Sequence, residues 1–141
     1  MRGALSGGQG GSMRSILFVD DHVVLARLSC EILEMNGYRA VPAYDAATAL
    51  QLFGDDSFDI VVTDWRMDGM DGIELARAIH AQSPATPIIL VTGYGPVEAG
   101  SEIAACLGKD RLFPELLHEI TLLLGEAEAA EPELELPARS A

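Results

Sequence analysis

The chain has 141 residues, 49% of them hydrophobic and 22% charged, enough for one domain with a core of its own. Its 22 acidic against 9 basic residues leave a net charge of −13, which opposes binding to nucleic acid or an anionic membrane through the bulk field. No apolar run approaches the roughly 20 residues of a membrane span, and the N-terminus lacks the apolar core of a signal peptide, so the cytoplasm is the expected compartment.

Residues 1–12 are rich in Gly and Ser, and 1–14 read as a flexible arm outside the fold. Ile16-Leu17-Phe18-Val19 is a short apolar strand ending in Asp20-Asp21. From His22 to Asn36 a helix is expected, with Val24, Leu25, Leu28, Ile32 and Met35 at helical spacing and Gly37 as its stop. Tyr38 to Val41 is a second strand, ended by Pro42, and Asp45 caps a helix that runs to Phe53 and stops at Gly54. Ile60-Val61-Val62 has the β-branched, all-apolar character of a buried parallel strand. Asp64 closes it, before Trp65, Arg66 and the turn pairs Asp68-Gly69 and Asp71-Gly72. Ile73 to Ala81 is a helix with Ile73, Ala76 and Ile79 inward. Pro87 to Val91 is a fourth strand, ending at Thr92-Gly93. Val97 to Ala105 reads as a short, weak helix, and Cys106-Leu107 as a marginal fifth strand before Gly108-Lys109-Asp110. Pro114 suits the start of a last helix buried through Leu116, Leu117, Ile120, Leu123 and Leu124. Cys30 and Cys106 read as small buried hydrophobes in a reducing compartment. The folded domain is expected over 15–125, followed by an acidic Ala/Glu/Pro tail over 126–141 that is expected to be disordered.

Strands alternating with helices imply an α/β fold. The expectation is a flavodoxin-like, doubly wound, five-stranded parallel sheet in the order 2-1-3-4-5 between two helical layers. Ligands of such sheets bind beyond the carboxyl ends of the strands. There the sequence gathers Asp20 and Asp21, Asp64, Thr92 and Lys109. Three carboxylates in one pocket repel one another, and the usual remedy is a hard divalent cation such as Mg2+, which favours a few carboxylates plus a phosphate. Thr92 can donate to that phosphate and Lys109 can pair with it. A carboxylate ending a buried strand reads as a phosphate acceptor, yet residue chemistry does not choose between Asp64 and Asp21 for the role.

The runs I-L-F-V-D-D, D-I-V-V-T-D-W-R-M-D-G-M-D-G and P-I-I-L-V-T-G, with a late Lys, resemble the receiver domain of two-component response regulators from about Ser15 to Gly125. The resemblance implies that Asp64 takes a phosphoryl group from a sensor histidine kinase or a histidine phosphotransfer protein. It also implies that Asp21 and Asp64 ligate Mg2+ directly, that Asp20 acts mainly through water, and that the main-chain carbonyl of Arg66 supplies a further oxygen. Thr92 and Lys109 would bind the phosphoryl oxygens. The chain would then signal through contacts with a downstream protein, as a monomer or weak dimer.

Three positions depart from that pattern. Asp110 follows Lys109 where the family has Pro, Cys106 stands where it has an aromatic residue, and only seventeen positions separate Thr92 from Lys109. The run Thr92-Gly93-Tyr94-Gly95-Pro96 resembles a subgroup of single-domain receivers, and Tyr94 is the candidate for the missing aromatic. About sixteen residues follow the last helix, so no output domain is expected in this sequence. The alternative reading is a degenerate receiver acting as a phosphorylation-independent interaction module. A phosphohydrolase is disfavoured, because Arg66 occupies the position where such enzymes place a second Asp as general acid.

Overall fold

The computed structural model describes residues 13–93 and 100–125. In chain order the elements are β1 (Ser15–Val19), α1 (Val23–Met35), β2 (Arg39–Ala43), α2 (Ala46–Asp55), β3 (Ile60–Asp64), α3 (Gly72–Gln82), β4 (Ile88–Thr92), β5 (Ala105–Gly108) and α4 (Leu112–Leu124). All strand pairs are parallel and the order is β2-β1-β3-β4-β5, the order expected from the sequence.

Strand period divides the core in two. Ile16, Phe18, Ile60, Val62, Ile89 and Val91 meet α1 and α4 on one face. Leu17, Val19, Val61 and Ile88 meet α2 and α3 on the other. β1, β3 and β4 are buried along their whole length, which fits their apolar runs over 16–19, 60–62 and 88–91.

Several boundaries differ from the sequence reading. Pro42 lies inside β2, opposite Phe18. Arg39 donates to the carbonyl of Arg14 at 2.8 Å and Ala43 accepts from Asp20 at 3.0 Å, so Pro42 faces away from β1 on an edge strand, where its missing N–H breaks no ladder bond. α2 continues through Gly54 to Asp55, with Asp45 accepting from the Thr48 amide at 2.7 Å as expected of its cap. In α3 the buried apolar positions are Leu75, Ala76 and Ile79, with Ile73 half-buried. Residues 94–99, and with them Tyr94 and the start of the expected helix from Val97, lie outside the described residues. From Gly100 the chain makes a turn, closed by the Ile103 amide on the Gly100 carbonyl at 3.1 Å, and enters β5 at Ala105. Cys106 is exposed on that edge strand while Cys30 is buried in α1. Burial pushes the Cys30 thiol up to about 12, with Glu34 adding to it. Lys109–Arg111 form a 3-10 turn, and the Phe113–Pro114 peptide is cis. Regular helical geometry resumes after Phe113, whose backbone is extended, so Pro114 does stand at a helix start.

The largest difference is the face that α1 buries. Ala26, Ser29, Cys30 and Leu33 turn inward, whereas Val23, Val24, Leu28 and Met35 are exposed. The helix carries two apolar arcs, and small side chains on one of them let it lie close to the sheet. Ser29 Oγ is buried there with no hydrogen-bond partner among the described residues. Removing an unsatisfied hydroxyl relieves its desolvation, and Ala is the better helix former. Ser29→Ala is expected to raise stability by about 1 kcal/mol, read as a higher urea midpoint at unchanged slope; a lower midpoint would mean that the hydroxyl is satisfied.

Candidate functional site

The carboxyl ends of β1, β3 and β4 and the start of the 3-10 turn converge on one mouth. β1 ends at Val19, so Asp20 and Asp21 follow as the chain rises off the sheet. The Asp20 amide still bonds Ala43 at 3.0 Å and the residue is 2% exposed; Asp21, one step on, is exposed. Asp20 Oδ1 accepts the His22 amide at 2.9 Å, and His22 caps α1 through Nδ1, which accepts from Leu25 at 3.3 Å. Asp64 is the last residue of β3 and is buried. Its Oδ1 accepts the Trp65 amide at 3.0 Å and its Oδ2 accepts from Lys109 Nζ at 3.2 Å.

Carboxylate oxygens of Asp20, Asp21 and Asp64 lie within 4.8 Å of one another. Lys109 Nζ reaches this group, 3.6 Å from Asp20 Oδ2 as well as 3.2 Å from Asp64 Oδ2. Thr92 is buried at the end of β4, in register with Gly108, the residue before Lys109. Arg66 is exposed and its guanidinium lies over the half-buried Trp65 ring, 4.8 Å from the centroid. The sequence-predicted residues Asp20, Asp21, Asp64 and Lys109 are thus brought together, and Thr92 stands on the strand beside them.

Burial pushes the Asp64 carboxyl above its ordinary value, and the Asp20 charge adds to it; Lys109 and the Trp65 amide oppose both without cancelling them. For Lys109, burial pulls the ammonium down, but Asp20 and then Asp64 push it further up, so it stays charged. The two buried acids Asp20 and Asp64 therefore share the Lys109 ammonium, and the exposed Asp21 carboxylate lies within 4.8 Å of them with no contact to Lys109 among those described. The donor set is all oxygen, hard, and under-compensated in charge, which fits a divalent cation of the Mg2+ type.

Three features escaped the sequence reading. Thr63, between the aliphatic run 60–62 and Asp64, donates its hydroxyl to the Asp64 carbonyl at 2.9 Å. Gly72 opens α3 against that same carbonyl. The exposed apolar arc of α1 begins two residues after Asp21. The hydroxyl residue between the apolar run and Asp64 was a visible signal for the first; the others depend on packing across the chain.

A family model described as the response regulator receiver domain matches residues 16–112. The chain is 35% identical over 111 residues to the transcriptional regulatory protein CpxR of Escherichia coli (strain K12), covering 79% of this chain and 47% of that one. It is 33% identical over 117 residues to the regulatory protein AtoC of the same strain, covering 82% of this chain and 25% of the relative. It thus spans between a quarter and about half the length of these relatives. Among solved structures, a response regulator receiver domain protein (CheY-like) from Methanospirillum hungatei JF-1 matches with a TM-score of 0.75 at 28% identity, covering 81% of this chain and 95% of that one. The response regulator protein TrrA from Thermotoga maritima, in complex with Mg(2+)-BeF, matches with a TM-score of 0.73 at 30% identity, covering 79% and 99%. With a sheet order, an acidic mouth and a family match that all coincide over the same residues, this chain belongs to the response regulator receiver domains of two-component systems.

Proposed function

We propose that the chain is a phosphoacceptor of a two-component phosphorelay, with Asp64 receiving the phosphoryl group. The observation that carries this reading is the buried Asp64 carboxylate, held in one mouth with Asp20 and Asp21 and met by Lys109 at 3.2 Å. An Asp64 oxygen attacks the phosphorus of a phosphohistidine, the P–O bond forms as the P–N bond breaks, and the imidazole leaves with a proton. Asp64 is oriented for this by its bond from the Trp65 amide. Lys109 neutralises charge on the transferred oxygens, and Thr92 donates a hydrogen bond to them. Asp21, Asp64 and the Arg66 carbonyl would hold Mg2+, with Asp20 acting through water; the cation supplies charge neutralisation at the phosphoryl oxygens. The likeness to TrrA, solved with Mg(2+)-BeF, supports that assignment.

Incubation with Mg2+ and a small acyl phosphate, read by intact mass, tests the reading. One added phosphate on the parent and none on Asp64→Asn is the expected result. No adduct on the parent, with kinase-dependent labelling also absent, would favour a phosphorylation-independent interaction module.

The donor is a histidine kinase or a histidine phosphotransfer protein, and the exposed residues Val23, Val24 and Leu28, on the first turns of α1 after Asp21, give it an apolar surface to sit on. Burying one Leu contributes about 1.5–3 kcal/mol. Leu28→Glu is therefore expected to raise the KM for a protein donor at least roughly tenfold, with small-donor labelling unchanged. Equal loss with both donors would place Leu28 in the fold rather than in the contact. Output then proceeds through contacts with a downstream protein. No helix among the described residues is long and apolar enough to cross a membrane.

A further inference from the structure

We infer that Gly72 is a positioning residue for the acceptor site: the absence of a side chain there lets α3 begin flush against the Asp64 carbonyl and so fixes the peptide that follows Asp64. The inference rests on the reading of Asp64 as acceptor and of the Arg66 carbonyl as a metal ligand. A Cβ on Gly72 would lie 2.2 Å from the Asp64 carbonyl oxygen, 3.1 Å from its carbon and 2.9 Å from Leu90 Cδ1. The first two are backbone atoms of a buried central strand and cannot swing aside. Gly72 does not have positive φ, so the close approach, rather than backbone freedom, is what demands glycine.

The surrounding hydrogen bonds show what this packing holds. The Gly72 amide donates to the Trp65 carbonyl at 2.8 Å, closing the loop between β3 and α3. The Trp65 amide donates both to Val91 in β4 at 2.9 Å and to Asp64 Oδ1 at 3.0 Å. Thr63 Oγ1 donates to the Asp64 carbonyl at 2.9 Å. Residues 64 and 65 are therefore fixed at both carbonyls and at the amide between them. With the Trp65 carbonyl taken by Gly72, the next carbonyl in the chain, that of Arg66, is aimed by the same closure. Outer groups of this kind typically set metal affinity by 10–100-fold without touching the ion.

Gly72→Ala tests this against Asp71→Ala, its neighbour. Asp71 caps α3 through a reciprocal box, accepting the Ile73 and Glu74 amides at 2.9 Å while Glu74 accepts the Asp71 amide at 3.0 Å. Loss of that cap weakens the helix start without entering the Asp64 backbone. Mg2+ binding is read through the fluorescence of Trp65, the sole tryptophan, which adjoins the site. Phosphate uptake is read by mass. Both variants are expected to lose a few degrees of thermal midpoint. Only Gly72→Ala is expected to weaken Mg2+ by at least roughly tenfold and to shift the metal-free Trp65 emission. The double variant Gly72→Ala with Leu90→Val frees the side contact but leaves the carbonyl clash, so its Mg2+ affinity should stay low. Parent-like affinity in Gly72→Ala, or equal weakening in Asp71→Ala, overturns the inference. A parent that binds no Mg2+ and takes no phosphate overturns the acceptor reading and this inference together.

Discussion

Asp64→Asn is expected to take up no phosphate from any donor and, in metal-free buffer near neutral pH, to unfold at a higher temperature than the parent. The first effect follows because an amide lacks the anionic oxygen that attacks phosphorus. The second follows from the direction of the Asp64 shift. Burial and the Asp20 charge raise its carboxyl in the folded protein above 3.8, its ordinary value, and Lys109 does not offset them. A raised acid binds its proton more tightly when folded, so the charged form opposes folding. The parent accordingly loses stability as pH climbs from 3.8 through the raised folded-state value. Asn, always neutral, escapes that loss. Its advantage should be on the order of 1 kcal/mol, or a few degrees for a domain of this size. It should be full near neutrality and fade as the parent protonates on acidification. Thermal scans of both proteins in chelator across pH 4 to 8 measure it. A neutral-pH midpoint below the parent's would mean that the attraction to Lys109 outweighs desolvation and the Asp20 repulsion.

Lys109→Ala should act in the opposite sense. It removes the ammonium shared by Asp20 and Asp64 and leaves two buried carboxylates facing each other. Stripping one partner from a fully buried pair costs about 3–5 kcal/mol. The Lys109 side chain is 31% exposed, so solvent screens part of this and a loss of about 2 kcal/mol is expected. Lys109 is raised above 10.5 despite its burial, so its contribution is fully present below that pH and lost only as alkali passes its folded-state value. Millimolar Mg2+ should return more stability to the variant than it adds to the parent, since the cation then supplies the missing positive charge. Urea melts with and without Mg2+ provide the comparison. An identical Mg2+ increment in both proteins would separate the ammonium from the metal pocket. Phosphate uptake by the variant should fall as well, for want of charge opposite the transferred oxygens.

How much of this was legible beforehand depended on range. Alternating elements and the handedness of parallel crossovers left few strand orders to choose from, and the acidic mouth followed from the strand ends once β1 and β3 were taken as neighbours. Local caps were equally readable: Asp45, Gly37 and Pro114 stand where their chemistry placed them. Misreadings arose where two local signals competed. Helix α1 has apolar residues on two arcs, and periodicity does not say which arc meets the sheet; the small residues Ala26, Ser29 and Cys30 decide it by allowing close approach. Pro42 looked like a strand stop because an edge strand has a side on which a missing donor does no harm, and only the pairing reveals that side. Cys106 has the character of a core residue in the sequence, yet the alternation of β5 turns it outward while Ala105 and Leu107 pack against the core. Gly72 gave no local sign, because its constraint comes from a carbonyl eight residues earlier and a leucine eighteen residues later.

The outward-facing Pro42 has a consequence for the life of the folded protein in a crowded solution. The margin of a parallel sheet is open to recruitment of a stray extended segment wherever it is uncovered. On the β2 margin the imide removes a donor in mid-strand, so an incoming chain cannot form a continuous ladder there. The opposite margin, β5, is only four residues long. Among the described residues, the sheet is thereby guarded against fibrillar growth on one margin by chemistry and on the other by brevity, and an incoming ladder on β2 is interrupted at Pro42.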